Sequence, residues 1–168
     1  MASPAVSADI LRQHLAYTTW ATARLLEACA KLTPEERERD FNTADKSITG
    51  TLAHIYAADR VWLDRINNAP ARPFITEGDR DFEVVCREWP ALLERWNEWA
   101  GGLTDACSQE PLSYKDLKGN PWTTPVWQIV LHVVNHDTHH RGQAAGFIRA
   151  LGHVPPPLDL IAYYRSLK

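Results

Sequence analysis

The chain has 168 residues, of which 45% are apolar and 23% charged, and its net charge is −3 with histidine neutral. That size and mixture suit a single soluble domain spanning 1–168, able to bury a core without disulfides or structural metals. The mild acidity argues against nucleic acid as a partner, and no run approaches 18 apolar residues, so no membrane span is expected. The opening MASPAVSADILRQ lacks a basic stretch followed by an apolar one, so it does not read as a secretory signal, and a cytoplasmic location is expected. Cys29, Cys86 and Cys107 are odd in number and far apart. They are expected to be three small buried hydrophobes rather than a disulfide framework or zinc ligands.

The first helical pattern runs from about Ser7 to Lys31, with Leu11, Leu15, Thr18, Thr22, Leu25 and Cys29 recurring at steps of three and four. In LTPEERERD, Thr33 reads as an N-cap, Pro34 as the first helical residue and Glu36 as the capping-box partner of a short helix. FNTADKS is a loop. A second long helix is expected from about Ser47 to Asn67, with Ile48, Leu52, Ile55, Trp62 and Ile66 as its stripe. NNAPARPFITEGDR connects it to a third, from about Asp81 to Leu103, in which Pro90 predicts a kink. SYKDLKGNPWTT carries a turn signal and allows a small hairpin. The fourth helix is expected from Pro125, after Thr124 as N-cap, to Leu151, with Gly152 ending it. HVPPP breaks the chain before a short C-terminal helix in LDLIAYYRSL. The result is an all-α four-helix bundle.

Four of the seven histidines fall in LHVVNHDTHHRGQ, between Leu131 and Gln143. At about 100° per residue from Val126, the core stripe of Val130, Val133, Ala144, Ile148 and Leu151 lies within roughly 40° of zero. His140 falls at about −40° and His136 at about −80°, while His132 and His139 lie further out at about −120° and −140°. The inward pair is therefore His136 and His140, whose i, i+4 spacing lets two imidazoles face the same ion. The spacing lacks the glutamate of the H-E-x-x-H pattern, and a solvated polar flank remains an alternative reading. A third ligand would come from His14, His54 or His153, and His54, on a helix buried on most sides, is the favoured choice. Asp137, near +20°, and Asp59 lie in their helices' stripes. Each would either orient a ligand's ring N–H or pair with an arginine such as Arg60 or Arg141. Gln143, near −100°, shares the side of His136. Tyr17, Trp20 and Trp62 are core aromatics that would also suit a cavity wall.

LAYTTWATARLLEAC, SITGTLAHIYAADRVWLDRI and TTPVWQIVLHVVNHDTHHRGQAAGFIRALG together resemble the DinB family, close to the YfiT-like metal-dependent hydrolases. The trailing PPPLDLIAYYR also fits. The resemblance implies a bundle holding a divalent ion, zinc or nickel, on three histidines. Matched residue by residue, TLAH supplies His54, NH supplies His136 and the histidine before RGQ supplies His140. It further implies hydrolysis or thiol transfer on a small molecule, and a homodimer in which the tryptophan-rich third helix would supply the interface. A non-catalytic, stress-associated metal-binding bundle is the alternative function.

Overall fold

A computed structural model describes residues 6–168; residues 1–5, the start of the stretch read above for a secretory signal, lie outside the described residues. In chain order the described helices are α1 (Ala8–Cys29), α2 (Pro34–Glu38), α3 (Ile48–Ile66), α4 (Phe82–Gly101), α5 (Asp105–Gln109), α6 (Val126–Ala150) and α7 (Leu160–Ser166). Strands β1 (Pro111–Lys115) and β2 (Pro121–Pro125) form an antiparallel hairpin that pairs Ser113 with Thr123. The four long helices close into a ring, with α3 packed on α4 and α6, and α1 packed on the same two. This is the expected four-helix bundle, with α7 added against α1 and the hairpin against α6.

Local chemistry sets the helix ends. The Ser7 side chain accepts from the backbone of Asp9, that of Ser47 from Gly50, and that of Asp81 from Glu83 and Val84. Each satisfies amide groups that an α-helix leaves without partners in its first turn. The capping box of Thr33 and Glu36 forms as expected. Gly152, at φ 89°, ends α6 in the left-handed region where a side chain would be strained. The start of α6 differs from the expectation. Thr124 remains in β2, and Pro125 itself is the cap, without a side-chain bond. The hairpin carries the chain straight into the helix, and the Val126 amide donates to the Glu110 carbonyl instead.

Helix α4 is continuous through Pro90, which lies on its exposed face. Its buried face brings Trp89 and Trp96 into the core, and both indoles donate to Asp59 of α3, to Oδ2 at 2.7 Å and to the backbone carbonyl at 3.1 Å. Of the cysteines, only Cys29 is buried, and burial pushes its thiol up to about 12. Cys86 is half-buried and Cys107 is exposed, so the expectation of three buried cysteines fails. Cys107 sits on the outward side of the short α5, where no second layer covers it. No helix among the described residues is long and apolar enough to cross a membrane.

Candidate metal centre

His54 stands in the second turn of α3, and His136 and His140 stand one turn apart on α6. The α3–α6 contact brings the three rings together. Ring centroids lie 4.5 Å apart for His54 and His140, 4.5 Å for His136 and His140, and 5.1 Å for His54 and His136. One ring nitrogen from each lies within 4.8 Å of the other two, and the Nε2 atoms of His54 and His136 face each other at 3.1 Å. A tetrahedral ion with bonds of about 2.0–2.1 Å spaces its nitrogen ligands about 3.3 Å apart, so the donor set fits a divalent ion.

The outer nitrogen of one ring sets its tautomer. His140 Nδ1 is 2.7 Å from Gln143 Oε1, an acceptor that places the proton on Nδ1 and leaves Nε2 free. His54 Nδ1 lies 3.5 Å from Asp45 Oδ1, and the other Asp45 oxygen is 4.0 Å from His140 Nδ1. His136 Nδ1 faces Asp137 Oδ1 at 3.8 Å, on a carboxyl group buried in the core. Gln143 thus leaves His140 Nε2 for the centre, and the Nδ1 atoms of His54 and His136 face carboxylate oxygens at 3.5 and 3.8 Å while their Nε2 atoms face each other. Burial is the largest cause holding all three imidazoles below their ordinary pKa. The neighbouring histidines add to it, while Asp45 pulls back up on all three. Neutral rings are the form that binds a metal.

Asp45 belongs to the loop read only as FNTADKS, and its part in the site is not visible in the sequence. Gly50 permits its approach. A Cβ on Gly50 would stand 2.0 Å from the Asp45 carbonyl oxygen, so the loop packs directly on the first turn of α3, one turn before His54. Lys46, at φ 63°, turns the chain back toward the Ser47 cap.

The remaining residues sort clearly. His132 and His139 are exposed, as their angles predict. His14 bonds the Ile10 carbonyl within α1, and His153 pairs with Glu36 at 2.8 Å, so neither reaches the centre. Asp59 faces Trp89 rather than a ligand or Arg60, and Arg60 pairs instead with Asp79 at 2.6 Å. Asp137 pairs with Arg141 at 3.4 Å deep in the core while also facing His136. Burial raises both Asp59 and Asp137, Asp59 further through its acidic neighbour, and Arg141 pulls Asp137 back. Tyr17 and Trp20 pack on Tyr163, whereas Trp62 lines a cavity beside the histidines. That cavity, about 490 Å³, has His54 and His136 at its inner end and the hairpin as its outer wall.

A ring of four helices carrying a three-histidine cluster beside a solvent-reachable cavity defines a class of helical proteins with a candidate metal centre. Over residues 3–167 the chain matches the model of the DinB family, and it belongs to that family. It is similar to Protein DinB of Bacillus subtilis (strain 168), with 24% identity over 153 residues, covering 88% of this chain and 89% of that protein. Its fold is similar to the crystal structure of a DinB-like protein from Bacillus cereus ATCC 10987. That likeness has a TM-score of 0.70 at 19% identity, covering 92% of this chain and 99% of the other.

Proposed function

We propose that this chain is a metal-dependent enzyme that binds zinc or nickel on His54, His136 and His140 and acts on a small molecule by hydrolysis or thiol transfer. The observation that carries the reading is the convergence of three imidazoles, two of which, His54 and His136, line an open cavity. A closed structural site ordinarily uses four protein ligands, whereas three leave a position for water or substrate. A divalent ion there would lower the pKa of a bound water or thiol and polarise a substrate oxygen. Gln143 holds the ring of His140, Asp45 lies beside His54 and His140, and aromatic side chains wall the cavity that His54 and His136 face. The cavity favours catalysis over a non-catalytic metal-binding role, because a site with no turnover needs no substrate-sized space beside it.

The test is elemental analysis of protein purified without a histidine tag, for the wild type and three variants. His136→Ala and His140→Ala lose most of the bound metal, and His139→Ala keeps it. Equal loss in all three variants rejects the ligand set.

A further inference from the structure

The cavity beside the histidines carries a second chemical signature at its outer end. Arg65, one turn beyond Trp62 on α3, lays its guanidinium over Trp62 at 4.5 Å and over Tyr114 of β1 at 5.0 Å. One of its nitrogens donates to the Lys115 carbonyl at 2.9 Å, which fixes the fork against the hairpin. Among the described residues no carboxylate forms an ion pair with it, although it is only partly exposed. The nearby acid is already engaged. The two oxygens of Asp116 accept from the Lys118 and Asn120 amides, the Asn120 side chain and the Trp122 indole. Lys118 adds a second cation to the lining, and Phe74 and Trp122 extend the aromatic wall.

A guanidinium held on aromatic shelves, with donors to spare and no acid partner, is a preorganised receptor for a planar anion. The residual charge of Asp116 in the same wall favours a monoanion over a dianion. Eight helical steps carry α3 from His54 to Trp62, a rise of about 12 Å at ~1.5 Å per residue, and the Arg65 guanidinium rests on Trp62, so the histidines and the guanidinium line two ends of one cavity. We propose that Arg65 is a specificity-determining residue that anchors the carboxylate of a small molecule whose apolar body lies along Trp62, Phe74 and Tyr114. This names the substrate class of the site and rests on the metal-dependent reading above only for what happens at the inner end.

The experiment is calorimetric titration of the full-length protein, metal-loaded and metal-stripped, with 3-phenylpropanoate, its neutral amide and phenyl phosphate. The carboxylate is expected to bind at least tenfold more tightly than the amide and more tightly than the phosphate. Arg65→Gln brings acid and amide within twofold of each other, and Arg65→Lys, which keeps a cation without the fork, retains part of the preference. Helical circular dichroism of both variants checks that they are folded. Equal binding of acid and amide by the wild type, a preference that survives Arg65→Gln, or an Arg65-dependent preference for the phosphate overturns the proposal. Metal content is measured on the same preparations. An Arg65-dependent preference in protein that never takes up metal sinks the metal reading alone. Metal bound through the three histidines without that preference sinks the carboxylate anchor alone.

Discussion

At the scale of single residues, the inward histidine pair on α6 is legible in the sequence because helical periodicity converts position into angle. His136 and His140 fall toward the core stripe, and His132 and His139 fall toward solvent. His54 is readable mainly through the family resemblance, since its angle places it beside its stripe. Asp45 is not readable at all: it lies in an aperiodic loop, and its partners are set by how that loop lands on α3. The residue that permits the landing is Gly50, whose missing side chain leaves room for the Asp45 backbone. Gly50→Ala is therefore expected to push the loop outward, costing about 1–3 kcal/mol of stability through overpacking. It should also weaken metal affinity by roughly tenfold or more, as loss of an orienting carboxylate does. Asp45→Asn should match the affinity loss with a smaller stability loss. Urea unfolding and competition against a chromophoric chelator separate the two effects, and unchanged affinity in both variants would remove Asp45 from the site.

At the scale of elements, the long helices, the Thr33 cap and the Gly152 stop follow from local pattern, as does the hairpin's turn. The hairpin's place as the cavity wall does not, because a two-stranded ribbon's docking site is decided by the helix it meets. The same limit applies to α3, whose stripe contains Asp59. An acidic residue on an apolar face shows that some partner is required, but not which one. The partners are the Trp89 indole and the carboxyl of Asp137, in a region where Asp59 is almost wholly buried. Burial raises the folded-state pKa of Asp59 above its unfolded value of about 3.9. The sign follows: folding with Asp59 neutral is fully favourable below that unfolded value and loses ground as pH rises toward the folded one. Asp59→Asn keeps an acceptor for Trp89 and supplies a permanent donor toward Asp137 that does not titrate. Its stability relative to wild type should therefore increase with pH above about 4, by up to about 1.4 kcal/mol per pH unit until the folded pKa is passed. Urea midpoints at pH 5 and pH 8 check this. A gap between the variants that does not widen at pH 8 would mean that Asp59 is ionised in the fold.

At the scale of the whole molecule, the three histidines join α3 to α6 on one side of the ring, while α1 and α4 complete the core without supplying a ligand. The bundle is built from apolar contacts on all four helices, which do not need a metal, and under the proposed function a bound ion would act as a clamp on one interface. A ligand that binds only the folded state stabilises it by mass action, about 2.7 kcal/mol when free metal is at 100 times its dissociation constant. For a chain of this length that corresponds to a rise in Tm of roughly 5–10 °C. Proton competition then sets the pH range. The imidazoles are held below the ordinary value of about 6.5, so with respect to these rings the metal-free fold is at full stability above that value and loses stability as pH falls below it. For the same reason the rings stay free for metal at pH 6.5, where ordinary histidines are half protonated. The metal-dependent rise in Tm is thus expected to be present at pH 7.5, to persist at pH 6.5 and to disappear only at lower pH. His140→Ala should melt close to the chelator-treated wild type and gain nothing from added zinc or nickel. Differential scanning calorimetry with and without metal at three pH values decides the matter. A zinc- or nickel-dependent rise of equal size in His140→Ala would mean that the ion binds elsewhere on the chain.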